Sequence, residues 1–168
     1  ALLLSTLRMT GVGGWEYDLV NERLYWSDHV CAIHEVPATY EPRVAEAIEF
    51  YRGADRERIA ERFGRLVEHG EPFDLECRLV TAKGRHRWVR SVGEPVHRDG
   101  QIVRVVGAFQ DITDQREQRE AMEATNRLLE AAQSIARMGS WSFDCETGRV
   151  SWSKPLFEIY EQPIEKGE

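Results

Sequence analysis

The stretch Gly13–Pro37, GGWEYDLVNERLYWSDHVCAIHEVP, decides the fold because the chain spells it twice. Moved by 126 residues without a gap, it falls on Gly139–Pro163, GSWSFDCETGRVSWSKPLFEIYEQP, and nine of twenty-five positions are identical. The shared residues are Gly13 and Gly139, Trp15 and Trp141, Asp18 and Asp144, Arg23 and Arg149, Trp26 and Trp152, Ser27 and Ser153, Ile33 and Ile159, Glu35 and Glu161, Pro37 and Pro163. Just upstream, Ser5, Arg8 and Met9 are echoed by Ser134, Arg137 and Met138. Solenoid repeats are about 20–50 residues long, so a period of this size predicts tandem domains, with the chain stopping inside the second copy. Within the stretch, Trp15–Asp18 and Leu24–Trp26 read as two strands joined by a turn at Asn21 and Glu22. Ser27 or Asp28 can cap a short helix that reaches about Glu35 and ends before Pro37.

Working outward, Val44, Ala47, Ile48 and Tyr51 follow the i, i+3, i+4, i+7 spacing of an amphipathic helix that begins near Arg43 and is stopped by Gly53. A second helix begins near Asp55, carries Ile59, Phe63, Leu66 and Val67 on one stripe, and stops at Gly70. Beyond Pro72 the period changes to two. Phe73, Leu75, Cys77 and Leu79 alternate with Asp74, Glu76 and Arg78, as in a half-buried antiparallel strand. Lys83 and Gly84 turn the chain, a strand runs from about His86 to His97, Asp99 and Gly100 form a hairpin turn, and a last strand runs from Ile102 to about Ile112. The order ββ, helices, βββ predicts an α+β fold: a five-stranded antiparallel sheet with helices over one face, and room for a small ligand between the two layers.

After this sheet, Thr113 or Asp114 is placed to cap a long helix, with Glu117 closing a capping box. The residues to Met138 are good helix formers apart from Thr125 and Asn126. About 24 residues at 1.5 Å each make a rod of roughly 36 Å, longer than the domain's own core requires, so a partner surface is expected. The heptad series Gln118, Ala121, Thr125, Leu128, Ala132 and Ile135 turns apolar in its later part, which permits a parallel coiled coil; a solvated linker helix is the alternative.

The 168 residues are 42% hydrophobic and 30% charged, enough for a packed core and a solvated surface. A net charge of −7 offers no basic face for phosphate backbones, so nucleic acid is not an expected partner. The apolar start Leu2–Leu4 is far short of the roughly 20 residues that span a bilayer, and no membrane contact is expected. Cys31, Cys77 and Cys145 are odd in number and lack CxxC spacing, which argues against a disulfide framework or a zinc site and for a reducing cytoplasmic setting.

The hairpin Gly14, Trp15, Glu16, Tyr17, Asp18 followed by Tyr25, Trp26 and Ser27 resembles the opening of PAS domains of the PAS-3 type. The ending Val106, Gly107, Ala108, Phe109, Gln110, Asp111, Ile112, Thr113 resembles their PAC ending with its Asp-Ile-Thr junction. The resemblance covers about Gly11 to Thr113, and the opening recurs from Gly139. It implies a helical lead-in over 1–10, a PAS/PAC sensor domain over 11–113, a signalling linker helix over 114–138, and a truncated second PAS domain over 139–168. It also implies a regulatory input that dimerises through the linker or N-terminal helix and passes ligand or partner state to an output domain. Sensor histidine kinases and diguanylate cyclases carry such tandem modules.

By the same resemblance, residues of the last strand that face the helices line any ligand site. Alternation gives Val103, Val105, Gly107 and Phe109, opposite Leu75, Cys77 and Leu79, with Ile59, Phe63 and Leu66 closing from the helices. Each can equally be plain core. Asp111 and Thr113 stand where the sensing strand meets the output helix, either as caps or as signal relays. The identity of any cofactor is left open. The reactive Asn-Cys-Arg-Phe motif of light-sensing flavin relatives is absent, and Cys31 and Cys77 read as small buried hydrophobes. For haem, the nearest axial candidate is His69, which lies at a helix end beside Gly70. His34, His86 and His97 show no spacing that suggests a metal site. No phosphate loop, nucleophile elbow, kinase motif or cyclase motif is present, so the chain itself is not expected to catalyse a reaction. A ligand-free dimerisation and interaction module is the second reading, and a small pocket enzyme the third; the latter needs an ionisable group in the pocket, where only Cys77 stands.

Overall fold

A computed structural model describes residues 11–135 and 139–161. The expected lead-in over 1–10, the last turn of the linker and the end of the second copy lie outside the described residues. The elements are β1 (Val12–Asp18), β2 (Arg23–Trp26), α1 (Asp28–His34), α2 (Val44–Glu49), α3 (Ala54–His69), β3 (Phe73–Val80), β4 (His86–Arg98), β5 (Gln101–Asp111) and α4 (Thr113–Ile135), followed by β6 (Trp141–Phe143), β7 (Val150–Trp152) and α5 (Lys154–Ile159). The chain divides into two compact units between Arg116 and Glu117.

In the first unit the five strands form one antiparallel sheet in the order β2-β1-β5-β4-β3. The first hairpin is therefore inserted beside the last strand, and α1 to α3 cover one face, as expected. One row of directly opposed residues crosses the sheet: Trp26 opposite Trp15, Trp15 opposite Gly107, Gly107 opposite Gly93, and Gly93 opposite Phe73. The two glycines leave the middle of the row without side chains, and the rings at its flanks fill that space. Trp15 and Phe73 stack with centroids 6.2 Å apart and planes 15° from parallel. A Cβ on Gly93 would lie 2.6 Å from Phe73 and 2.8 Å from Leu66, and one on Gly107 would collide with Trp15 and the Val92 carbonyl. Glycine in a strand interior weakens the strand locally, but here it admits close approach of rings across it.

The turns and caps follow from short-range chemistry. The Asp18 carboxylate accepts from the N–H groups of Val20 (2.8 Å) and Asn21 (3.0 Å), closing the β1–β2 turn. Ser27 is the cap of α1; its Oγ accepts from Val30 N–H and from Gly14 N–H, tying the helix start to β1. Asp99 and Gly100 both take positive φ, at 52° and 80°, the pairing that an Asp-Gly hairpin turn requires.

Three sequence expectations are corrected. The helix begun at Val44 ends at Glu49 and does not reach Gly53. Tyr51 instead bridges Leu79, and Val80 N–H donates to Phe50 O (2.8 Å), so this segment covers the edge strand β3. In β5 a register shift opposite Val96 and His97 breaks the alternation, and Ile102, not Val103, packs on the core. Of the residues read as caps of α4, it is Asp111 that supplies the bond, in place of Thr113 or Asp114. Thr113 N–H donates to Asp111 Oδ1 (3.0 Å), so the capping carboxylate comes from the strand.

The second unit repeats the register and turn of the first hairpin, although Ser153, unlike Ser27, makes no side-chain cap bond to the helix that follows. Trp141 pairs with Trp152 as Trp15 pairs with Trp26. Asp144 Oδ1 accepts from Glu146 and Thr147 N–H, as Asp18 does from its turn. Ser153 Oγ accepts from Ser140 N–H, as Ser27 Oγ does from Gly14 N–H. Gly139 lies against Leu156 as Gly13 lies against Val30, with no room for a Cβ at either place. Here, however, the strands are bare: Trp141 is 67% and Trp152 38% exposed.

Replacing Gly107 by Ala should cost about 1–3 kcal/mol through overpacking against Trp15. A Cβ on Gly64 of α3 would meet nothing within 4 Å, and its replacement by Ala should stabilise by about 0.5–1 kcal/mol. Urea unfolding of both variants checks the pair, and equal effects would contradict the packing described for Gly107.

Candidate functional site

Between the sheet and its helices lies a cavity of about 60 Å³. The sheet contributes Trp15, Leu24, Trp26, Phe73, Ser91 and Phe109; the helical layer contributes Val30, His34, Val44, Ala47, Ile48, Ile59 and Phe63, with Tyr51 from the segment after α2. No wall residue carries a fixed charge. Of the residues expected from the sequence, Ile59, Phe63 and Phe109 line this space. Leu66, Cys77, Leu79 and Val105 are fully buried core, and Leu75 packs at its edge. Gly107 lies beneath Trp15, and Val103 is displaced by the irregularity in β5.

The residues missed come from the first hairpin and α1, from α2 and Tyr51 after it, and from Phe73 and Ser91 of the sheet. For the hairpin the signal was present as the alternation of Trp15 with Tyr17 and of Leu24 with Trp26, but its use required knowing that β1 is inserted next to β5. His34 is the most consequential omission. It is 1% exposed, stacks on Trp26 (4.1 Å) and on Phe109 (5.0 Å), and meets Phe50 edge-on (4.8 Å). Its Nδ1 lies 2.9 Å from the Val30 carbonyl, which can only accept, so Nδ1 carries the proton and Nε2 is left as an acceptor. Burial is the chief reason its pKa is pushed down to about 4, assisted by the positive charge of Arg87 and opposed by the bond to Val30.

The other titratable candidates play structural parts. Cys77 is fully buried, and burial pushes its thiol up despite a contact from Arg58 at 3.4 Å, so it remains a protonated thiol. The His69 side chain is exposed, close to Glu68 at the end of α3 and outside the cavity wall. His86 and His97 lie on β4 away from the wall. Among the described residues no group of three or more metal-ligating side chains converges.

Asp111 and Thr113 are brought together with β4. Asp111 forms an ion pair with Arg87 and accepts from the Thr113 hydroxyl (2.6 Å). The same hydroxyl accepts from Trp88 N–H (3.0 Å), and Ile112 N–H donates to Trp88 O (2.8 Å). One turn on, the Arg116 guanidinium lies 3.8 Å over the Trp88 ring and reaches Glu76 of β3 at 3.0 Å. Burial alone would raise the Asp111 pKa, but the bonds from Thr113 and Arg87 outweigh it and hold the carboxyl below the usual range. The first turn of α4 is thus fastened to the two strands that supply Ser91 and Phe109 to the cavity.

With this geometry in place, three kinds of likeness bear on the chain. Residues 23–109 match the family described as PAS fold, just over half of the sequence. The chain is 26% identical over 113 residues to the probable diguanylate cyclase DgcE of Escherichia coli K12, covering 67% of this chain and 10% of that protein. It is 26% identical over 124 residues to the sensor protein FixL of Bradyrhizobium diazoefficiens, covering 71% of this chain and 24% of that protein. It therefore spans a quarter or less of the length of these relatives. A crystal structure of a sensory box histidine kinase/response regulator from Burkholderia thailandensis superposes with a TM-score of 0.59 at 25% identity, covering 78% of this chain and 99% of that one.

The His34 pKa predicts a pH dependence with a definite sign. Its folded value lies below the unfolded value near 6.5, so the unfolded chain binds more protons between the two. Stability should fall as pH drops from about 6.5 to about 4, by up to about 3 kcal/mol, and this contribution should be absent in His34→Phe. Denaturation midpoints of both proteins across that range give the difference; parallel curves would show that His34 charges freely in the folded state.

Proposed function

Since the chain belongs to the PAS fold family, we propose that it is the sensory input of a larger signalling protein, a sensor histidine kinase or a diguanylate cyclase. The observation that carries this reading is the fastening of α4 to the cavity strands through Asp111, Thr113 and Trp88. A change in the cavity that shifts β4 against β5 alters the seat of the first turn of α4. A helix of 23 residues carries that change toward a downstream output domain, where the chemistry takes place. In this reading the PAC ending is the segment of β5 through Thr113, and residues 114–138 are the linker.

A second reading, a ligand-free dimerisation module, draws on Met122, Leu128, Leu129 and Ile135, all more than half exposed on α4. The two readings are compatible, because paired linker helices would deliver the signal to a dimeric output domain. No helix among the described residues is long and apolar enough to cross a membrane.

Residues 139–161 are read as the opening of a second PAS module, supported by the repeated register, the repeated turn and the bond from Ser140 N–H to Ser153 Oγ. In a longer chain carrying the remaining strands and helices of that module, Trp141 and Trp152 should become shielded from iodide quenching; undiminished quenching would refute the tandem arrangement.

Asp111→Asn and Thr113→Val should each change the output activity of the intact parent protein by severalfold while leaving the thermal unfolding of this chain cooperative. Unaltered output in both variants would count against the relay.

A further inference from the structure

The cavity wall selects by what it lacks. None of its residues is an Asp, Glu, Lys or Arg, and the surface it turns to the cavity is predominantly apolar. The Trp15 indole nitrogen has essentially no accessible surface, and His34 Nδ1 is committed to the Val30 carbonyl. The polar atoms that remain belong to Ser91, Tyr51 and the second nitrogen of His34, on residues no more than 6% exposed.

These properties exclude most classes of occupant. An ionised molecule would lose its hydration here and gain no counter-charge. An ordered water needs roughly two to four polar partners, which a predominantly apolar surface does not supply. Size removes larger molecules. An apolar cavity of about 150 Å³ admits benzene, whereas this one measures about 60 Å³. What fits is an apolar molecule smaller than benzene.

We infer that the cavity is a binding site for a small apolar molecule, an apolar gas or a hydrocarbon of about three carbon atoms, held by dispersion contacts with the wall. This rests on the sensory reading above and names the ligand class of that same cavity. Trp26, Phe63 and Phe109 supply ring surface, and Ile48 and Ile59 supply methyl groups. Ala47 keeps the space open, because it is the small member of a wall segment that otherwise carries Val44, Ile48 and Tyr51. An apolar cavity weakens packing in proportion to its volume, so a molecule that fits restores contacts the side chains do not make. Entry is simplest past α2, a short helix with no fully buried residue and no side-chain cap bond. Phe109 of the wall lies two residues before Asp111, so a wall displaced by an occupant reaches the seat of α4 directly.

The test uses the 168-residue chain carrying ¹³C-methyl isoleucine. The Ile48 and Ile59 signals are assigned by their loss in Ile48→Val and Ile59→Val, and Ile135, 86% exposed, serves as the reference outside the cavity. Propane, and separately xenon, is titrated by pressure against helium at equal pressure. Both should move the Ile48 and Ile59 signals saturably and leave Ile135 unmoved, with half-saturation for propane at about 1–10 mM for so few atoms. 2-Propanol, nearly the same shape with one hydroxyl, should bind at least about tenfold more weakly, and benzene should give no saturable shift. Ala47→Leu, which fills the cavity from α2, should abolish the response to propane while thermal unfolding remains cooperative. Linear drift with both propane and xenon, or equal shifts at Ile135, would overturn the proposal. Binding of 2-propanol as tight as that of propane would show that polar atoms face the space and would overturn the apolar class. Saturation by benzene, or an undiminished response in Ala47→Leu, would also overturn it. If propane and xenon fail while Asp111→Asn still changes the output of the parent, this inference falls and the sensory reading stands.

Discussion

The first unit depends on one packing constraint: two aromatic rings meet across a pair of side-chain-free positions in the middle of the sheet. Trp15 and Phe73 belong to strands separated by β5 and β4, and they stack only because Gly107 and Gly93 stand between them. The arrangement holds the strand order at the level of side chains. A one-residue slip of β1 or β3 would send its aromatic ring to the opposite face and leave the glycine pair uncovered. It also sets the floor of the cavity, since Trp15 and Phe73 are both wall residues and Phe63 of α3 packs 6.1 Å from Trp15.

From that floor the site is assembled by elements far apart in the chain. His34 reaches the cavity because Ser27 anchors α1 to β1 and because its ring is held between Trp26 and Phe109. The far end of α1 is tied down separately. Glu35 forms an ion pair with Arg85 and accepts from the Thr81 hydroxyl (2.6 Å), and Ala82 N–H donates to His34 O (3.0 Å). The imidazole is thus fixed in orientation and kept neutral by burial. The wall is therefore polar at a few points and charged at none, which is the property that defines what it can admit.

The exit of the chain is built on the same strands. β4 supplies Ser91 to the cavity and Arg87 and Trp88 to the junction; β5 supplies Phe109 and then Asp111. Ser91 and Val89 face the helices, whereas Trp88 and Arg90 stand on the other face, where Arg116 covers Trp88. Arg87 and Asp111 share the face of Val89, Ser91 and Phe109, so the helix is seated from both sides of the sheet by residues that are close neighbours of the wall residues, and displacement of the strand moves both sets.

Much of this was legible in the linear chain, for a common reason: local chemistry acts over a few residues. The 126-residue repeat announced hairpins whose Trp pairs and Asp turns recur at matching positions. The change of period at Pro72 marked the strands, and Asp99-Gly100 marked their turn. Periodicity placed Ile59, Phe63 and Phe109 on the inward faces of their elements. Only the tertiary structure decided the rest. Insertion of β1 beside β5 brought Trp15 and His34 into the wall. The needs of the edge strand β3 ended α2 early, an irregularity in β5 exchanged Val103 for Ile102, and Thr113 turned its hydroxyl to Trp88 of β4. Apart from the β5 irregularity, which arises within the β4–β5 hairpin, each of these rests on a partner far along the chain, and spacing carries no record of which distant strand will lie alongside.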